Sequence, residues 1–181
     1  MPISFNFNSK FSIPRVVSGI YEYSAIERLY TNTMSDGKII TVNVEDQVTK
    51  AWQYLEKNCA KSDACNAYFK KLSGGKSLDE WMVSTEFVVH LLRPKKNSRS
   101  GKTYVEEDLP QASCAGKDIG ISMYTFIDKK GNDASLAAVL LHEIAHHGGA
   151  TTNPSVEKAL EAENALIPCG LKQYFIDSAR G

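Results

Sequence analysis

The chain has 181 residues, of which 43% are hydrophobic and 23% are charged, and its 21 basic and 21 acidic side chains balance to a net charge of zero. This composition is sufficient for an ordinary packed core and excludes an intrinsically disordered protein. The balanced charge gives no electrostatic basis for binding nucleic acid or an anionic membrane. No stretch approaches the roughly 18 apolar residues that a transmembrane helix requires, so no membrane span is expected.

The length fits one folded domain. We predict a partly extended N-terminal extension over residues 1–35 and a single α+β domain, with a small sheet and several helices, over residues 36–181. The first residues lack the basic start and apolar core of a secretory signal, so any export is expected to use another route.

Hydrophobic periodicity and turn residues divide the domain into short elements. In its first half we predict a strand over 38–44, helices over 44–55 and 64–72, a short helix from Ser77 to Trp81 and a strand over 86–92. A polar connection over 93–117, with a weak strand at 103–105, and a strand over 118–128 follow. The last elements are a buried helix capped by Asp133 or Ser135 and helices over 156–167 and 174–179.

The buried helix carries the sequence His142-Glu143-Ile144-Ala145-His146, which has the HExxH spacing of zinc metallopeptidases. Residues four apart lie on one face of a helix, so both imidazoles can bind one zinc ion. Glu143 is then beside the metal, where it can take a proton from a zinc-bound water. The apolar residues before His142 predict burial of the helix, and Gly148-Gly149 predicts its end and an open space around the metal.

The four cysteines allow several states. Cys59 and Cys65 are six residues apart across a predicted turn, which suits a local disulfide and leaves Cys114 and Cys169 for a second one. Four free thiols are the alternative, whereas the spacing does not match a cysteine zinc site. Disulfides would indicate that the protein works in an oxidising compartment.

A catalytic zinc usually has three protein ligands and one open position. Thr152 stands where a metzincin would have its third histidine, so that class is excluded. A carboxylate on the following helix is the alternative, and spacing alone does not choose among Glu157, Glu161 and Glu163.

The motif helix, followed by Ala162-Glu163-Asn164 and Gly170-Leu171, resembles the zincin effector peptidases of bacterial type III and type VI secretion systems. The resemblance covers residues 118–175; Lys172 stands where the family often has proline, and the usual arginine after Asn164 is missing. It implies a zincin-like fold, Glu163 as the third ligand with Glu161 as the second choice, and a secreted toxin.

The function expected from these features is zinc-dependent hydrolysis of a peptide bond, with Glu143 as general base. Tyr174 is the first candidate for stabilising the oxyanion, with Tyr124, His147 and His90 as alternatives. We expect the strand at 118–128 to pair with an extended peptide if it is a sheet edge. The partners are then a peptide or protein substrate and an immunity or inhibitor protein, in a target-cell periplasm or, alternatively, a host cytosol. A structural zinc domain and a non-catalytic zincin-like interaction module are the alternative functions.

Overall fold

The computed structural model describes residues 4–5, 21–22, 29–33, 37–94, 112–151 and 160–174, and the fold in these residues is α+β, as predicted. The strands are β1 (Ser4–Phe5), β2 (Tyr21–Glu22), β3 (Leu29–Thr33), β4 (Ile39–Asn43), β5 (Val88–Pro94), β6 (Ala112–Ala115) and β7 (Asp118–Ser122). The helices are α1 (Val44–Tyr54), α2 (Asp63–Lys71), α3 (Leu78–Ser84), α4 (Met123–Asp128), α5 (Asp133–His147) and α6 (Glu161–Asn164).

The main sheet has the strand order β1-β5-β7-β6 and is mixed. β1 and β7 run parallel to β5, whereas β6 is antiparallel to β7 and joined to it by a tight turn at Gly116 and Lys117. β2 pairs with the end of β5, and β3 and β4 form a separate antiparallel pair. Among the described strands, β6 is therefore the outer one next to β7.

Helix α5 is the centre of the core. Asn132 caps its first turn by accepting a hydrogen bond from the backbone N–H of Ser135, so the cap lies just before the two predicted cap residues. Residues 135–141 are buried on every side of the helix, as their lack of charge predicts. α1 packs along one side of α5 and β6 lies against it. The prediction of a buried motif helix is confirmed.

The predicted strand over 118–128 is only half correct, because the chain turns from β7 into helix α4 at Ser122. The Ser122 side chain accepts a hydrogen bond from the backbone N–H of Tyr124 and caps the new helix. Residues 123, 125 and 127 suit a strand by their alternation, but the serine cap starts a helix instead. Strand β6 lies inside the predicted polar connection and was not predicted.

The elements before the site largely follow their sequence signals. The strand over 38–44 and the helices over 44–55 and 64–72 are present as β4, α1 and α2, and a π-helical turn, Leu55–Cys59, continues α1. Ser77 and Glu80 form a reciprocal capping box at the start of α3. Of the helix predicted over 156–167 the described part is α6, and only a single 3-10 turn, Lys172–Tyr174, is described near the one over 174–179. The weak strand at 103–105 lies outside the described residues. Among the helices that are described, none has the length and apolar character to cross a membrane.

Candidate metal centre

The two motif histidines converge on the same face of α5. The Nε2 atoms of His142 and His146 are 3.0 Å apart, and their rings meet edge to face with centroids separated by 4.7 Å. Two nitrogens at this separation can both lie about 2.1 Å from one metal ion, which is the zinc–imidazole distance. Residues one turn apart on this helix could therefore supply two of the four ligands of a tetrahedral site.

The tautomer of His146 is fixed by the backbone after the helix. Its Nδ1 atom is 3.2 Å from the carbonyl oxygen of Ala150, an acceptor, so Nδ1 carries the proton and donates. In the tautomer with its proton on Nδ1, Nε2 presents its lone pair to His142. A backbone carbonyl on the second ring nitrogen is the usual support of a metal-binding histidine.

The end of α5 packs against the loop between α2 and α3, while the open space expected around the metal stays a prediction. The backbone N–H of Gly74 donates to the carbonyl of Gly148 at 2.9 Å. Gly149 has φ +100°, and a Cβ atom at this position would lie 2.0 Å from Oγ of Ser73. Gly148-Gly149 therefore lets the loop approach closely and turns the chain so that Ala150 reaches His146.

Glu143 is 5% exposed and its carboxyl is hydrogen-bonded to the thiol of Cys114 on β6. Burial raises the pKa of Glu143 to about 8; the charge of Glu163 also raises it, and the Cys114 hydrogen bond acts in the opposite direction. The outer strand thus contacts the residue predicted to be the general base.

Glu163 is brought to the histidines by α6. It is 2% exposed, and its Oε1 atom is 3.9 Å from Nδ1 of His142, while Oε2 has no hydrogen-bond partner. The ring atom of His142 that faces His146 is Nε2, not Nδ1. In this structure Glu163 is therefore not placed to bind a metal ion held between the two Nε2 atoms. Within the described residues, no group of three or more His, Cys, Asp or Glu side chains is already arranged around a common metal position.

Glu161, the second choice for the ligand, has a different contact. Its Oε2 atom accepts a hydrogen bond of 2.9 Å from the backbone N–H of Thr151, just beyond the end of α5. The backbone carbonyl of Glu161 accepts a hydrogen bond of 2.7 Å from the Tyr68 hydroxyl on α2. These contacts hold α6 against α2 and the end of α5. Of the two glutamates, only Glu163 lies next to a motif histidine. Glu157 lies outside the described residues.

Burial also acts on His142. Desolvation, followed by the positive charge that His146 would carry, lowers the pKa of His142 to about 4, and Glu163 opposes this change. The ring is therefore neutral at ordinary pH, which is the form that binds metal ions.

The cysteine pairing differs from the prediction. The structure contains a disulfide between Cys65 and Cys169, whereas Cys59 and Cys114 are thiols outside any disulfide. Spacing favoured a local pair, but the fold brings the segment after α6 against α2 and so places Cys169 beside Cys65. The Sγ atom of Cys59 donates to the Cys169 carbonyl at 3.4 Å.

The residues considered for oxyanion stabilisation have packing contacts of their own. Tyr174 packs against the core. Burial raises the pKa of the nearby Tyr54, and the charges of Cys59 and Tyr174 raise it further. His147 lies between two rings, with its centroid 4.8 Å from that of Trp81 and 5.0 Å from that of Phe87. His90 is buried and its Nε2 atom is 2.8 Å from Asp118. Tyr124 is partly buried on α4. The oxyanion role of each remains a prediction.

Comparison with protein-family models, with curated proteins and with solved structures finds no match to this chain. The function of the site must therefore be inferred from its geometry. Sequence reasoning missed three of its contacts, those from Cys114, Tyr68 and the Ala150 carbonyl. Only the last had a usable signal, because a metal-binding histidine is expected to donate its second ring N–H.

Proposed function

We propose that this protein is a zinc-dependent peptidase in which His142 and His146 are the first two metal ligands, Glu163 is the third and Glu143 is the general base. The observation that carries the proposal is the convergence of two Nε2 atoms at 3.0 Å on a helix that also buries Glu143. In this proposal the fold is zincin-like.

The positions of protons support a cation at this place. Since the Nε2 atom of His146 carries a lone pair, a metal-free site needs a proton on Nε2 of His142 to avoid two facing lone pairs. Nδ1 of His142 would then point a lone pair at Glu163, and Nδ1 is among the buried atoms without a partner. A cation between the Nε2 atoms removes this conflict, because both nitrogens can then present a lone pair to it while His142 keeps its proton on Nδ1.

Buried charge supports the same conclusion. Glu143 and Glu163 are 5% and 2% exposed, and the Oε2 atom of Glu163 has no partner. Isolated carboxylates are costly to bury, whereas a divalent cation compensates for them. We assign Glu163 as the third ligand because its Oε2 atom has no hydrogen-bond partner and is available for coordination. The Glu163 side chain would have to shift to reach the metal.

When bound, zinc would lower the pKa of a water molecule and polarise the scissile carbonyl. The Glu143 carboxylate accepts a proton from the attacking water and passes it to the nitrogen of the leaving amine. The Cys114 thiol, through its hydrogen bond, orients this carboxylate. Burial of Glu143 excludes bulk water from the proton transfer.

We propose that the peptide substrate binds along β6 rather than along β7. β7 is paired on both sides, with β5 and with β6, so the strand expected to receive a peptide is not an edge. Among the described strands, β6 pairs only with β7. A peptide added to its outer side would run past Cys114, which contacts Glu143.

The proposed biological role is that of a secreted bacterial toxin with an immunity or inhibitor protein as its partner, as the resemblance of the motifs implies. The Cys65–Cys169 disulfide supports the periplasm of a target cell as the place of action over a host cytosol, because disulfides persist in oxidising compartments.

A structural zinc site is the second candidate, and the position of Cys114 is the observation that favours it. Structural sites are closed by four protein ligands, and a thiol that reaches Glu143 is close to the motif. A sulfur atom on the metal would support this alternative.

The test is cleavage of a peptide library by the zinc-loaded chain, with new termini identified by mass spectrometry. Glu143→Gln is expected to lower the cleavage rate by about 100-fold or more while zinc remains bound. Glu86→Gln changes an exposed glutamate and is the matched control, with activity unchanged. Full activity in the Glu143→Gln chain would refute the proposal.

A further inference from the structure

The segment that carries Glu163 has little helical structure of its own. α6 consists of four residues, from Glu161 to Asn164, and the chain continues through turns to residue 170. A helix of one turn is not stable in isolation, because nucleation costs more than a single turn returns. The position of Glu163 beside His142 therefore depends on contacts with other elements.

Helix α2 supplies such contacts on both sides of Glu163. The Tyr68 hydroxyl donates to the carbonyl of Glu161 at 2.7 Å, two residues before Glu163, and Cys65 forms the disulfide with Cys169, six residues after it. Cys65 and Tyr68 are three residues apart and share one face of α2. We call this pair of attachments the α2 clamp.

Backbone hydrogen bonds connect the disulfide to Glu163. The N–H of Leu166 donates to the carbonyl of Glu163 at 3.0 Å, and the N–H of Leu171 donates to the carbonyl of Leu166 at 2.8 Å. Leu166 and Leu171 are fully buried, and Cys169 is 5% exposed. A displacement of Cys169 would therefore be transmitted through this packed turn to the glutamate.

We propose that the Cys65–Cys169 disulfide is a positioning element of the metal centre, so that the chain reaches full zinc affinity only in its oxidised form. The inference depends on the proposed function, because it assumes that Glu163 is a ligand. It makes zinc binding, and with it hydrolysis, dependent on the redox state of the compartment.

The chemistry of the change is a two-electron thiol–disulfide exchange. A dithiol reductant breaks the Cys65–Cys169 bond, each protein sulfur gains one hydrogen, and the dithiol is oxidised to its own disulfide. Cys59 does not compete as an internal attacking group, because burial raises its pKa to about 11 and keeps the thiol protonated.

The experiment is a competition for zinc between the full chain and a chromophoric chelator, performed on the oxidised wild type, on the Cys65→Ala/Cys169→Ala chain, and on both again with Glu163→Gln. A chain reduced with a phosphine, which is removed before the titration, is a further sample. Circular dichroism establishes that each sample is folded. We expect loss of the disulfide to weaken zinc binding by about 10- to 100-fold, and to have no further effect once Glu163 is glutamine.

Two variants keep the test decisive. Val42→Ala truncates a buried residue of β4 outside the clamp, so it lowers stability and leaves zinc affinity unchanged. Tyr68→Phe removes the other attachment with the disulfide intact, and it is expected to weaken zinc binding several-fold. If the disulfide-free chain does not fold, the zinc affinity of the Tyr68→Phe chain decides whether the α2 clamp positions Glu163.

The outcomes separate the two proposals. Equal zinc affinity with and without the disulfide in folded chains, or an equal loss in the Glu163→Gln background, overturns the positioning role and leaves the metal site standing. Unchanged affinity in Tyr68→Phe overturns the clamp. Failure of the oxidised wild type to bind zinc removes the site itself, and both proposals fall.

Discussion

Helix α5 and the segment over residues 160–174 contribute to the same centre in opposite ways. In α5 the positions of His142, Glu143 and His146 follow from helix geometry, and the helix is buried throughout its middle. In the later segment the position of Glu163 depends on contacts that its neighbours Glu161 and Cys169 make with residues of other elements. These partners are Tyr68, Thr151 and Cys65. The first part of the site is set by the geometry of one helix, whereas the second part depends on tertiary contacts.

Removal of the disulfide should have the largest effect on stability. The bond closes a loop with a sequence separation of 104 residues, so Cys65→Ala/Cys169→Ala is expected to lower the free energy of unfolding by about 4–5 kcal/mol. Denaturant titration measures the change. In native-state hydrogen exchange, the amides of Leu166 and Leu171 should lose more protection than those of α5. Equal losses of protection in both regions would contradict a special dependence of residues 160–174 on the disulfide.

Substitution of two glycines with positive φ, one in each region, allows the packing of the two regions to be compared. Gly149→Ala is expected to cost about 3 kcal/mol, because backbone strain at φ +100° adds to the close approach of the new Cβ to the Ser73 side chain and the Gly74 backbone nitrogen. Gly170 has φ +76° and no atom within 4 Å of an added Cβ, so Gly170→Ala is its matched control and should cost about 1 kcal/mol. Similar values from thermal unfolding would show that the end of α5 is not tightly packed.

The hydroxyl of Tyr68 is expected to make a smaller contribution. Tyr68→Phe removes one hydrogen bond to the Glu161 carbonyl and should lower the free energy of unfolding by about 1 kcal/mol. Its effect should be confined to the region of α6, as seen in the exchange of the Asn164 and Ala165 amides. Faster exchange in α5 instead would contradict the separation of the two regions.

The ionisation of Cys59, which lies beside the disulfide, has no effect on stability at neutral pH and acts only at high pH. Burial raises its pKa from 9.0 to about 11, so the unfolded chain releases this proton at lower pH than the folded chain does. The stabilisation is complete below pH 9 and is lost as the pH rises toward 11. Compared with Cys59→Ala, the wild type should lose more stability over this range, measured by denaturant titration at each pH. Parallel curves would contradict a buried thiol.

The difference between the two regions also explains which features of the site could be predicted from the sequence and which could not. The spacing of His142 and His146 is a property of one helix, so both the element and the shared face were predictable. The disulfide of Cys65 with Cys169 and the contact of Cys114 with Glu143 join residues that only the fold brings together, and local spacing indicated a different pairing. At Ser122 a single cap overrode the alternating pattern of the residues after it. For Glu163, the choice came from the resemblance of the motif rather than from periodicity.

X-ray absorption spectroscopy of the zinc-loaded, oxidised chain tests the central claim most directly, because it identifies the atoms bound to the metal. The account predicts one zinc per chain, two imidazole nitrogens at about 2.0–2.1 Å, oxygen in the remaining positions and no sulfur. Loss of one imidazole in a His146→Gln chain would agree with the assignment. A sulfur at about 2.3 Å, four protein ligands, or a chain that retains no zinc would contradict it.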